Sequence, residues 1–100
     1  MSRGGRILSR FYPIRCRRTV AEQRFIRAKL DLWGKLPQEE KAEVRQMIRE
    51  IARGGVERSA LEACVLRGMS PSTAAQVYHL NKARIYKMQR EFLEGFELWN

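Results

Sequence analysis

Histidine occurs once in this chain and cysteine twice, as Cys16 and Cys64, with no C-x-x-C spacing. That scarcity argues against a zinc site and a disulfide framework, and it suits a reducing compartment. The glycine pairs Gly4-Gly5 and Gly54-Gly55 lie outside any phosphate-loop pattern. No apolar run approaches the roughly 20 residues that a membrane-spanning helix needs, so no membrane partner is expected. Sustained period-two alternation is missing as well, and no hairpin turn separates β-rich runs. The one histidine faces no Ser or Cys nucleophile arrangement and the acids are scattered, so neither catalysis nor a cofactor is expected.

Acidic residues are scarce where basic ones are dense. The 100 residues hold 20 Lys and Arg against 11 Asp and Glu, a net charge of +9 that favours a polyanionic partner. Residues 1–36 carry ten of those basic side chains and two of the acidic ones. Residues 1–18 have no acid, six Arg (Arg3, Arg6, Arg10, Arg15, Arg17 and Arg18) and little apolar surface. They read as a flexible basic arm, able to follow a phosphate backbone or enter a narrow minor groove. The opening residues also match the composition of a mitochondrial targeting segment, a lesser alternative to a cytoplasmic, nucleoid-associated protein.

The remainder, 19–100, reads as one all-α domain, a small bundle of four to five helices. Thr19 and Glu22 have capping-box spacing at the start of the first helix, and Gly34 is placed to end it. One stripe of this helix holds Ile26, Leu30 and Trp33; a second holds Phe25, Ala28 and Leu32, more apolar surface than a small domain usually needs. The next helix opens at Leu36-Pro37, runs through Arg49 and Arg53, and is expected to stop at Gly54-Gly55. A further helix spans Val56 to Arg67, with Gly68 as its cap.

The motif that organises the chain follows. Ser70 is a suitable N-cap and Pro71 a suitable first residue for a helix to about Tyr78. His79, Leu80 and Asn81 make a compact break, since His and Asn tolerate left-handed backbone and Asn caps the helix that begins at Lys82. Ala74 and Ala75 let two helices cross closely. Ile85, Met88, Phe92, Phe96 and Trp99 form the inward stripe of the second helix. On the outward side, Asn81, Lys82, Ala83, Tyr86, Lys87 and Arg90 occupy the positions that touch DNA in helix-turn-helix proteins. Arg and Lys suit guanine O6/N7 or phosphate, and Asn suits adenine or phosphate. Arg84, to one side, is expected on the DNA backbone, and Ser70, Ser72 and Thr73 on a phosphate at the preceding helix N-terminus.

The run from Gly68 to Asn81, with Gly68, Ser70, the Ala74-Ala75 pair, Tyr78, Leu80 and Asn81, is similar to the PapB/FaeA-type regulators of fimbrial adhesin operons. Small plasmid and phage repressors look broadly alike. The resemblance covers about residues 56–93 and implies a small bacterial transcription regulator that oligomerises on DNA, often AT-rich DNA. The sequence thus predicts a helix-turn-helix over about 70–92, a duplex-DNA partner and a homodimer or higher oligomer. The alternative is a protein-interaction module in which Phe25, Leu32, Trp33, Phe96 and Trp99 meet RNA polymerase or another regulator.

Overall fold

The computed structural model describes residues 13–98, and all its regular elements are helical. In order these are α1 (Val20–Asp31), a 3-10 turn (Trp33–Lys35), α2 (Gln38–Ile51), α3 (Gly55–Arg67), α4 (Pro71–Tyr78) and α5 (Lys82–Gly95). None of these helices is long and apolar enough to cross a membrane. Trp99 lies outside the described residues.

α3 is the centre of the bundle, and its sequence says why. Ala60, Leu61, Ala63, Cys64 and Val65 are all buried, a spread too wide for one face, so the helix must be covered on several sides. α1, α2, α4 and α5 supply that cover. Ile26 and Leu30 come from α1, Val44 and Ile48 from α2, Ala74 from α4, and Ile85, Met88 and Phe92 from α5. Phe96 lies one residue past the end of α5 but is still buried, its ring 5.8 Å from that of Phe92, and Leu98 is buried with it.

Local signals set the helix starts. Thr19 Oγ1 accepts from the Glu22 amide at 3.1 Å, and Glu22 Oε1 accepts from the Thr19 amide at 2.9 Å, completing the capping box. Two expected ends differ. α1 stops at Asp31, and Gly34 falls inside the 3-10 turn, because hydrogen bonding shifts to the shorter spacing: the Lys35 amide donates to Leu32 O at 2.7 Å. α2 stops at Ile51, and Gly54 and Gly55 are the N-cap and first residue of α3. The linker carbonyls of Ala52 and Arg53 accept from the Arg58 guanidinium at 3.4 and 3.3 Å, which stabilises the early break.

The arm also needs correction at its boundary. Its last six residues lie against the bundle. Ile14 is buried, and the Gln23 side chain brackets its backbone, accepting from the Ile14 amide at 3.0 Å and donating to the Ile14 carbonyl at 2.9 Å. Arg3, Arg6 and Arg10 lie outside the described residues.

Candidate nucleic-acid interface

Short-range caps build the α4–α5 pair. Ser70 Oγ accepts from the Thr73 amide at 3.1 Å, with Pro71 in the first turn where its missing N–H costs nothing. His79 then takes left-handed dihedrals, φ 55° and ψ 44°, and is the only non-glycine residue with positive φ among those described. That one residue turns the chain, and the amides of His79 and Leu80 both donate to Ala75 O. Asn81 Oδ1 accepts from the Ala83 amide at 2.8 Å and starts α5. Ala74, fully buried, lets the helices approach closely.

The faces of α5 divide sharply. Ile85, Met88, Gln89 and Phe92 are buried, while Lys82, Ala83, Tyr86, Lys87 and Arg90 are exposed within an arc of about 140°. No acidic residue lies between Lys82 and Arg90. The side chains of Lys87 and Arg90 have no ion-pair or hydrogen-bond partner among the described residues. Ser72 and Thr73 are exposed at the start of α4, Ser70 is half-buried, and Lys82 Nζ lies 3.5 Å from Ser72 Oγ. That contact brings the beginnings of the two helices to one place on the surface.

Two basic residues expected at the interface are engaged elsewhere. Arg84 lies about 60° beyond Lys87 around the helix. It reaches back to α3, with Nε 2.5 Å from Glu57 Oε2. The hydrogen bond from Arg84, with its charge, holds the Glu57 carboxyl below the usual carboxylate value, and the same pairing raises Arg84. Arg18 closes the far end of α5: Nε donates to Leu93 O at 2.9 Å and Nη2 donates to Phe96 O. A cation there meets the negative end of the helix dipole and the carbonyls that the last turn leaves unpaired. The Arg17 amide donates to Glu94 Oε2 at 3.0 Å, while Arg15 and Arg17 are exposed. The basic segment is therefore rooted about 20 Å along α5 from Lys82.

Three buried or half-buried polar side chains shape this region without a sequence signal. Gln23 and Gln89 occupy inward positions that an apolar stripe would fill, and only their depth reveals them. Arg27 donates to Cys64 O at 3.1 Å and pairs with Asp31 Oδ1 at 3.0 Å, joining α1 to the end of α3. Burial pushes the Cys64 thiol up, opposed in part by a hydrogen bond from Gln89. Of the aromatics expected on a partner-binding surface, Phe96 is in the core, and half-buried Trp33 lies under Lys41 and Arg45, at 5.9 and 5.4 Å. Phe25 and Leu32 are exposed.

No family model, curated protein or solved structure matches the chain.

Proposed function

We propose that this protein binds duplex DNA through the outward face of α5 and regulates transcription, as a repressor of a bacterial, plasmid or phage operon, acting as a dimer or higher oligomer in the cytoplasm. One observation carries the reading. Behind a helix pair joined by a tight left-handed turn, α5 presents Lys82, Ala83, Tyr86, Lys87 and Arg90 on one exposed, acid-free face. A helix of this width fits the major groove, and Ala83 leaves its backbone room to approach base edges. Ser72, Thr73 and Lys82 are grouped for a phosphate beside that groove. Arg84 and Arg18 drop out of the expected contacts, because Glu57 and the α5 C-terminus already hold them.

The test is selection from a random duplex library at about 150 mM salt, followed by titration of variants. Arg90→Ala should cost about 1–3 kcal/mol and relax preference at one position if Arg90 meets a guanine edge. Lys87→Ala should weaken all sequences alike if it meets a phosphate, and Arg84→Ala should do less than either. Binding through several phosphates should also fall steeply between about 50 and 200 mM salt. Equal binding by the Lys87→Ala/Arg90→Ala double variant and the parent would sink the proposal. Retention of no motif, together with capture of RNA polymerase that is insensitive to salt, would favour the protein-interaction reading instead.

A further inference from the structure

α1 is apolar on two opposite sides. Its inner side carries Ile26 and Leu30, with Gln23, into the core. The outer side carries Ala21, Phe25, Ala28 and, at the helix end, Leu32, within an arc of about 60°. All four are exposed, Phe25 at 46% and Leu32 at 56%. Their spacing of four, three and four residues is that of a helix–helix seam. The inner side already closes the core, and Phe25 on the outer side stays 46% exposed although it also interacts within the chain.

We propose that this outer face is the antiparallel seam of a symmetric homodimer. The occupant is identified by self-complementarity. Small and large residues alternate along the stripe, Ala21, Phe25, Ala28 and Leu32. The point midway between residues 26 and 27 is the midpoint both of the 21–32 pair and of the 25–28 pair. A two-fold axis through that point sets Ala21 beside Leu32 of the second copy and Phe25 beside Ala28 of the second copy, so each bulky side chain meets a small one. A parallel pair in register sets Phe25 against Phe25 and leaves a gap at the alanines.

Charge follows the same axis. Arg24 and Asp31 flank one edge of the stripe, and the two-fold brings each within about 3 Å, along the helix axis, of its opposite in the second copy. Glu22 and Lys29 flank the other edge and are matched in the same way. These side chains have roles in their own chain, Asp31 with Arg27 at 3.0 Å, Lys29 with Glu40 at 3.0 Å and Glu22 with the Thr19 amide at 2.9 Å, and Arg24 and Phe25 also interact within the chain. The seam uses what stays exposed of them, such as the 54% of the Asp31 side chain. A contact one 12-residue helix long falls below the roughly 800 Å² per partner of a standard interface, so the dimer is weak alone. Two half-sites on one DNA would strengthen it by holding the copies together. The inference rests on the oligomeric part of the function proposed above and not on DNA binding.

The experiment uses the full chain without DNA, so that failure of the seam and failure of the DNA reading stay separate. Ala21→Cys and Leu32→Cys are made separately on a Cys16→Ser background, with Cys64 buried. Under mild oxidation the mixture should yield a covalent dimer while either variant alone does not. Self-cross-linking by each variant alone, or no cross-link in the mixture, overturns the antiparallel seam. Sedimentation of the unmodified chain gives a second readout. Ala28→Glu places a carboxylate against the phenyl ring of the second copy and should raise the dimer dissociation constant at least about 100-fold, with the helical spectrum unchanged. A chain that stays monomeric, or dimerises equally well with Ala28→Glu, overturns the proposal, including the case in which residues 1–12 of the same chain cover the face.

Discussion

Replacing Gln23 should release the segment that roots the basic N-terminus. Gln23 is 4% exposed, and its amide makes a reciprocal pair of hydrogen bonds with Ile14, with a further donation to Arg18 O at 3.2 Å. Leucine fills a similar volume but can neither donate nor accept. If the segment stayed in place, the Ile14 amide and carbonyl would be buried unpaired, at about 1–3 kcal/mol each. Lifting off and returning those groups to water is the cheaper response. The net value of two hydrogen bonds, about 0.5–1.5 kcal/mol each, then sets the change in the docking equilibrium at about 1–3 kcal/mol. Since cleavage needs the open form, tryptic cutting after Arg15 and Arg17 should accelerate by about 5- to 150-fold in Gln23→Leu, followed by mass spectrometry under conditions where reclosing is fast. Gln23→Glu separates donor from acceptor. Its carboxylate can still accept from the Ile14 amide but cannot donate to the Ile14 carbonyl, so its defect should shrink as the pH falls and the buried carboxyl takes up a proton. Wild-type cleavage rates in Gln23→Leu, with the fold intact, would refute the assignment of Gln23 as the clamp.

The turn and the α3–α5 ion pair give sharper stability tests. His79→Gly removes the cost of left-handed backbone in a residue with a Cβ, about 1–2 kcal/mol, less what glycine loses on folding. It should therefore raise stability in urea by about 0.5–1 kcal/mol. Gly68→Ala runs the other way and should cost about 1 kcal/mol, because φ is 75° there while the new Cβ would meet only ordinary contacts, the nearest being Arg27 Nη1 at 3.8 Å. A destabilised His79→Gly protein would mean that the imidazole makes a contact the turn depends on. Glu57 is depressed below its unfolded value of 4.5, chiefly by the hydrogen bond from Arg84. Its contribution is thus present above that value and lost as the pH falls through the depressed folded one. Glu57→Gln should flatten the acid-side loss of stability in urea titrations taken down through the carboxylate range. An unchanged slope would mean that the pair adds nothing to stability.

What was legible in the sequence was short-range. Thr19 with Glu22, Ser70 with Pro71, Gly68, and the His79-Leu80-Asn81 break each satisfy backbone groups within a few residues, and each does so in the structure at the expected place. Where two readings were locally equal, the sequence pointed the wrong way. Gly54-Gly55 suits the end of one helix as well as the start of the next, and Arg58 decides between them by reaching back to Ala52 and Arg53. The arm boundary failed for the same physical reason at longer range. Arg18 looks like one more arginine in a basic run until Leu93 and Phe96, some 75 residues on, offer it carbonyls.

The candidate interface depends on that distinction between a charge present and a charge available. Composition favours an anionic partner, because +9 on 100 residues attracts an anion whatever the fold. It does not say which cations remain to meet one. Arg84 and Arg90 are six residues apart on one helix and both exposed, yet Arg84 must give up Glu57 before it can take a phosphate, and Arg90 gives up nothing but water. A polyanion that engages Arg84 strands a carboxylate beside it, an opposing cost that Lys82, Lys87 and Arg90 do not carry. The affinity of the outward face should therefore lie in those three residues, and Glu57→Gln, by freeing Arg84, should tighten binding to duplex DNA without changing its sequence preference.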